Sequence, residues 1–259
     1  MNKYCWTTLL ATDDYVWGVI GLHYSLQRVG TDYPFIVIAT DNLKQETFDI
    51  LIKAGIEYRI FPYKSFVCGF DYDHYNCTIN KFYAWDFIEY DKVGFIDADV
   101  LINTNIDFFF RYQAFCSMKY YYPQINKADR VAGIYSFIFI LEPDKELEQR
   151  IFKEFVHYPD DETVLDALFF GNNNYLNHWL PNDIVFFFHD LNRKKYWDVY
   201  ELYHIEKVKY FVRKQLYYYL LDRLDYHNRY VGFGVGEIYE DDLRAPECKE
   251  LLDKLIGDR

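Results

Sequence analysis

Short apolar runs that alternate with helical patterns constrain the fold of this chain more than any other feature. Strand-like runs occupy residues 6–12, 35–39 and 93–96, and helical patterns follow the first two as far as Gly30 and Gly55. Apolar runs of this length are typical of strands that are buried on both faces of a sheet. Because glycine commonly ends a helix, Gly30 and Gly55 are predicted helix stops. The alternation predicts an α/β fold with a mostly parallel central sheet and helices on both faces.

Further patterns extend this alternation towards the carboxyl terminus. Helices are predicted over residues 81–90, 144–156, 160–169 and 214–224, and strands over residues 138–141, 184–188 and 199–203. Asp144 and the Asp13-Asp14 turn are predicted helix caps, because a carboxylate accepts hydrogen bonds from the free N–H groups of a first turn. No internal repeat or linker interrupts the chain, so we predict a single domain over residues 1–259.

Charge and cysteine content exclude several classes of protein. The net charge of -12 argues against a nucleic-acid partner, because phosphate backbones attract basic surfaces. The five cysteines are scattered without Cys-x-x-Cys spacing, which indicates neither a disulfide framework nor a zinc site. No apolar run approaches the roughly 18 residues of a membrane span, and no signal-peptide pattern is found at the start. We therefore expect a cytoplasmic protein without membrane insertion.

Two carboxylates directly follow the predicted strand at residues 93–96. Asp97-Ala98-Asp99 would therefore lie at the carboxyl end of a parallel strand, the edge where ligands bind in open α/β sheets. Carboxylate oxygens completed by those of a diphosphate suit Mg²⁺ or Mn²⁺ rather than zinc. The motif is short, and Asp71-Tyr72-Asp73 also matches it. The pattern alone leaves ordinary loop or capping acids as an equal interpretation.

Several segments, taken in order, resemble glycosyltransferase family 8, and within it glycogenin. The matching segments are residues 8–15, 78–82, 93–101 and 136–143, the pair Asp161-Glu162, and His204 followed by Lys209 and Phe211. The resemblance covers roughly residues 3–212, and residues 93–101 are its most specific part. It implies a GT-A-type Rossmann-like fold. It also implies a nucleotide-binding half over about residues 1–100 and an acceptor-side half over about 101–212, and it leaves a helical tail over about 213–259.

The resemblance implies a role for each matched side chain. Donor contacts are implied for Leu9, Thr12, Tyr15, Lys81, Ala98 and Lys209, metal ligation for Asp97, Asp99 and His204, and catalytic roles for Asp161 and Lys209. His189 competes with His204 as the metal ligand, because it also follows a predicted strand. Asp161 would lie beside the transferred sugar, and Lys209 would meet the donor phosphates.

The resemblance also implies an activity. The expected reaction moves a hexose, with retention of anomeric configuration, from a UDP-hexose to an acceptor hydroxyl, with Mn²⁺ or Mg²⁺ as the metal. UDP-glucose is the first choice of donor. The acceptor would be a glycan or a protein, including a tyrosine of the chain itself, and a homodimer is the expected assembly.

Departures on the acceptor side keep two other interpretations open. Tyr135-Ser136-Phe137 stands where the family has Asn-Ser-Gly, and Asp161-Glu162 stands where it has Asp-Gln. A non-catalytic relative that binds a nucleotide sugar or a protein is one alternative. A nucleotidyltransferase is the other, although residues 12–15 contain neither the glycine nor the arginine of its usual phosphate loop.

Overall fold

The computed structural model describes residues 3–66, 73–100, 102, 105–120, 133–158, 160–169 and 180. These residues all belong to one compact unit, Met1–Val185. The predicted strands at residues 184–188 and 199–203 and the predicted helix at 214–224 lie outside them. The single domain over residues 1–259 therefore stays a prediction.

Six strands of the described residues form one sheet. They are β1 (Tyr4–Leu10), β2 (Phe35–Thr40), β3 (Glu57–Phe61), β4 (Lys92–Ile96), β5 (Cys116–Tyr120) and β6 (Gly133–Leu141). The strand order is β3-β2-β1-β4-β6-β5. The first four strands are parallel neighbours, whereas β6 is antiparallel to both β4 and β5. The prediction of a mostly parallel α/β sheet is confirmed.

Four α-helices and four 3-10 segments connect the described strands. The α-helices are α1 (Val16–Arg28), α2 (Gln45–Lys53), α3 (Lys145–Glu154) and α4 (Asp161–Phe169), and the 3-10 segments are Asp13–Tyr15, Asp73–Asp86, Asp107–Arg111 and Phe155–His157. Helices α1 and α2 end just before Gly30 and Gly55, whose φ angles of 68° and 69° favour glycine. None of the described helices has the length and apolar character needed to cross a bilayer.

The two predicted caps have different outcomes. Asp144 caps α3 as predicted, accepting hydrogen bonds from the backbone N–H groups of Glu146 at 2.8 Å and Leu147 at 3.0 Å. The prediction that the Asp13-Asp14 turn caps the following helix is wrong, since α1 has no side-chain cap. Asp13 instead accepts hydrogen bonds from the Lys44 N–H at 3.0 Å and the Thr47 hydroxyl at 2.6 Å. The turn after β1 is thereby anchored to the start of α2.

The helix predicted over residues 81–90 is also wrong in kind and position. The structure has a 3-10 helix over Asp73–Asp86, followed by a turn in which the Tyr90 N–H donates to the Phe87 carbonyl at 3.0 Å. Both Phe82 and Trp85 are fully buried. Phe82 and Trp85 are three residues apart. Residues at this spacing share a face in both α- and 3-10 helices, so the spacing does not distinguish the two helix types.

Aromatic side chains fill much of the core around β4 and β6. The Phe95 and Phe139 rings stack with their centroids 4.8 Å apart, and Trp85 stacks on Phe139 at 5.6 Å. Each buried ring contributes roughly 1.5–3 kcal/mol relative to an exposed one. This packing fixes the 3-10 helix of residues 73–86 against the strand that leads into Asp97.

Candidate active site

The carboxyl ends of β1 and β4 form one edge of a cavity. These strands are parallel neighbours, with Thr7 opposite Phe95, so the residues that follow each strand emerge side by side. The cavity has a volume of about 150 Å³ and is lined by Leu9, Ala11, Thr12, Tyr15, Cys77, Thr78, Lys81, Asp97, Ala98 and Asp99. Its position is the usual ligand edge of an open α/β sheet.

A tight turn places both acids of Asp97-Ala98-Asp99 in the cavity wall. The Val100 N–H donates to the Asp97 carbonyl at 3.1 Å, which breaks the alternation of the preceding strand. The Asp97 N–H donates to the Phe137 carbonyl at 2.7 Å, so β6 holds the start of the turn. Ala98 is buried, while Asp97 and Asp99 remain partly exposed. The two carboxylates can therefore meet a ligand in the cavity.

Lys81 also lines the cavity, although only 2% of its surface is exposed. Its Nζ is 2.5 Å from Asp161 Oδ2 and 3.4 Å from Asp97 Oδ1. It also donates to the Ser136 hydroxyl at 3.2 Å. Burial alone would lower the pKa of Lys81, but the charges of Asp161 and Asp97 raise it above its ordinary value. Lys81 is therefore a buried cation that connects β4, β6 and α4.

Asp161 is the principal partner of that cation. Its side chain is only 8% exposed, and it stands at the first position of α4. Burial would raise the pKa of Asp161, but the charge and hydrogen bonding of Lys81, together with a hydrogen bond from Ser136, lower it. The carboxylate is therefore ionised at neutral pH, and it is held close to the acids at the end of β4.

Asp97 and Asp99 are less closely paired with a cation than Asp161 is, among the described residues. Burial raises the pKa of Asp97 to about 7; Lys81 opposes this shift, while the charges of Asp99 and Asp161 add to it. Burial also raises the pKa of Asp99. A divalent cation in the cavity would offset this accumulation and keep both carboxylates ionised.

The described residues supply only part of a metal site. They contain no cluster of three or more His, Cys, Asp or Glu side chains arranged to hold a metal ion. Asp97 and Asp99 offer hard oxygen ligands, which fit Mn²⁺ or Mg²⁺, and the remaining ligands would have to come from a diphosphate or from the rest of the chain. The predicted third ligand, His204, and its competitor His189 lie outside the described residues.

Most of the residues predicted for donor binding come together in the cavity wall. Leu9, Thr12, Tyr15, Lys81, Asp97, Ala98 and Asp99 all line it. Asp161 is linked to the cavity by its ion pair with Lys81, which lines it. Lys209 and Phe211 lie outside the described residues, as do the first two residues of Asp71-Tyr72-Asp73. The roles assigned to all of these side chains stay predictions.

Asn80 is a part of the site that the sequence analysis did not identify. It is fully buried, and its Oδ1 accepts a hydrogen bond from the Lys64 N–H at 2.8 Å. Its Nδ2 donates to the carbonyls of Lys64 and Cys77, both at 2.7 Å. Asn80 thus fixes the backbone that carries Cys77, Thr78 and Lys81 into the cavity wall. No sequence pattern marks such a role, because the partner segment lies 16 residues away along the chain.

Comparison with known proteins gives partial sequence matches, and no family model matches the chain. Galactinol synthase 6 of Arabidopsis thaliana is 31% identical over 108 residues, which are 40% of this chain and 32% of that protein. UDP-glucuronate:xylan alpha-glucuronosyltransferase 2 of Arabidopsis thaliana is 31% identical over 140 residues, which are 53% of this chain and 22% of that protein. The matched region therefore spans about a third or less of these relatives.

Among solved structures, the bifunctional glycosyltransferase WbbM matches with a TM-score of 0.51 at 14% identity. The match covers 83% of this chain and 50% of that one, and it supports the fold. The sheet order and the acid-lined edge fit a GT-A-type fold. The partial matches to galactinol synthases agree with the resemblance of the ordered motifs to glycosyltransferase family 8.

Proposed function

We propose that the chain transfers a hexose from a UDP-sugar to an acceptor hydroxyl with retention of anomeric configuration. The observation that carries the proposal is the pair Asp97 and Asp99 in one cavity wall with Leu9 and Tyr15. An apolar side chain and an aromatic ring suit a nucleotide base, and the two carboxylates suit a metal-bound diphosphate. The name of the xylan glucuronosyltransferase relative, which includes UDP-glucuronate, supports a UDP-linked donor. UDP-glucose is our first choice.

Asp97 and Asp99 would hold Mn²⁺ or Mg²⁺, with His204 as the proposed third ligand. Such an ion, when bound, acts as a Lewis acid that neutralises charge on the departing diphosphate. Lys209 would add a positive charge near the phosphates. Lys81 lines the cavity, and it would contact the donor there as the resemblance implies. Its ammonium already contacts Asp161, Asp97 and Ser136, so it keeps the acidic wall in place.

Asp161 would act on the sugar. Departure of the diphosphate leaves positive charge on the sugar ring, and an ionised carboxylate nearby stabilises that charge. Asp161 Oδ2 is engaged by the Lys81 ammonium at 2.5 Å, which favours this electrostatic role over a nucleophilic one. The acceptor would be a hydroxyl of a glycan or a protein.

Replacing Asp99 with Asn should lower Mn²⁺-dependent hydrolysis of UDP-glucose about 100-fold, a loss typical of removing one group that stabilises developing negative charge. UDP release, measured over time with Mn²⁺ present, reports this rate. Asp49→Asn, an exposed change on α2, is the matched control and should leave the rate unchanged. Equal hydrolysis by the parent and Asp99→Asn would contradict the proposal. Binding of UDP-glucose without hydrolysis by the parent would instead favour a non-catalytic relative.

A further inference from the structure

Carboxylates outnumber ammonium groups around the cavity in the described part of the chain. Asp97 and Asp99 line the cavity wall, and Asp161 with its neighbour Glu162 begins α4. Lys81 is the cation that contacts this group, and its closest partner is Asp161 at 2.5 Å. If the proposed cation and diphosphate engage Asp97 and Asp99, and Lys81 balances Asp161, Glu162 has no counterion of its own among the described residues.

Glu162 is exposed, whereas the neighbouring Asp161 is buried. Its Oε1 accepts a hydrogen bond from the Ser136 N–H at 3.2 Å, and the Ser136 hydroxyl lies 3.2 Å from Lys81 Nζ. Ser136 therefore holds the carboxylate of Glu162 next to the Lys81–Asp161 pair. Desolvation of its carboxylate and the charge of Asp161 raise the pKa of Glu162 to about 7, so it is mostly ionised at pH 8.

A sugar carried by a diphosphate at Asp97 would have these acids as neighbours. Oxygens of Asp97 and Asp161 both lie within 3.4 Å of the same Lys81 nitrogen, so the two carboxylates are close together. Glu162 is joined to this pair through Ser136 and is the more accessible of the two acids that begin α4. The exposed carboxylate is therefore the one that an incoming sugar can approach most freely.

We infer that Glu162 selects donors with an uncharged hexose and excludes those with a hexuronate; this inference rests on the proposed function. Hydroxyl groups can donate hydrogen bonds to a carboxylate, which only accepts them. A hexuronate carboxylate would bring a like charge towards an acid that no described cation balances, and specificity commonly arises from such repulsion. This assigns a donor class to the site and a specificity-determining role to Glu162.

The inference is tested by equilibrium binding of UDP, UDP-glucose and UDP-glucuronate at pH 8 with Mn²⁺. For the unmodified chain, UDP-glucuronate should bind about tenfold more weakly than UDP-glucose, as one unscreened like charge near the sugar would produce. Glu162→Gln keeps an oxygen for the Ser136 N–H but removes the charge, and it should bring the two affinities within about twofold of each other. Glu162→Ala should narrow the difference as well. Glu146→Gln, on the exposed first turn of α3, is the control and should preserve it.

The outcomes separate this inference from the function on which it rests. Failure of UDP itself to bind with Mn²⁺ would overturn both. Binding of UDP and UDP-glucose, with UDP-glucuronate bound equally well by the unmodified chain, would overturn the inference and leave the proposed donor site intact. A tenfold preference that persists in Glu162→Gln and Glu162→Ala would overturn the role of Glu162.

Discussion

Lys81→Met should lower the free energy of unfolding by about 3–5 kcal/mol, the usual cost of removing one partner from a buried ion pair. Lys81 is 2% exposed and Asp161 is 5% exposed, so the substitution leaves Asp161 buried without its cation. Methionine fills a similar volume, which separates the electrostatic effect from the effect of a cavity. Urea unfolding followed by circular dichroism measures the change.

Two further variants test the cause of that loss. Lys44→Met removes a lysine whose side chain is 73% exposed and which pairs with the partly exposed Asp13 at 3.6 Å, and it should cost less than about 1 kcal/mol. Adding Asp161→Asn to Lys81→Met should recover part of the stability, because the uncompensated charge is removed. A loss below 1 kcal/mol in Lys81→Met would show that the buried pair does not hold α4 against β4.

Gly94→Ala should lower the free energy of unfolding by about 3 kcal/mol, the upper part of the range for overpacking a core. A Cβ at Gly94 would lie 2.3 Å and 2.4 Å from two ring carbons of Trp6 and 3.1 Å from Ile140 Cδ1. Trp6 is fully buried, so its rigid ring has little room to move. Thermal or urea unfolding of the variant measures the loss.

A double-mutant cycle locates the clash. Trp6→Leu removes the ring that the new methyl group would meet, so Gly94→Ala should cost less in that background than in the unmodified chain. Trp6→Leu also removes the 2.9 Å hydrogen bond from Trp6 to Asp107. This loss occurs both with and without Gly94→Ala, so it cancels when the two Trp6→Leu proteins are compared. Equal costs in the two backgrounds would place the strain somewhere other than at Trp6.

The strands that the sequence predicted are those with continuous apolar runs. β1, β2 and β4 lie within the sheet, where both faces are covered, and burial on both faces produces that pattern. β3, Glu57–Phe61, is an edge strand that mixes Glu and Arg with apolar residues, and it was not predicted. β5, Cys116–Tyr120, is the other edge strand and was also missed. Edge strands need fewer apolar residues, so their pattern is weaker.

Long-range contacts limit how much of the site can be predicted from the sequence. The position of Asp97 and Asp99 followed from the strand before them, because the end of a parallel strand is a defined place in the fold. The partners of Lys81 did not follow, since Asp161 and Ser136 lie on other elements far along the chain. Asp13 shows the same limit: its local sequence predicted a cap for α1, but its actual partners are Lys44 and Thr47.

The affinity of the chain for UDP, measured by calorimetry with and without Mn²⁺, tests most directly whether Asp97 and Asp99 hold a metal-bound nucleotide diphosphate. Mn²⁺ should tighten UDP binding at least about tenfold in the unmodified chain, because the ion joins the two carboxylates to the diphosphate. The Asp97→Asn/Asp99→Asn variant should lose that dependence while remaining folded. UDP affinity that is independent of Mn²⁺ in the unmodified chain, or a dependence that persists in the variant, would contradict the account.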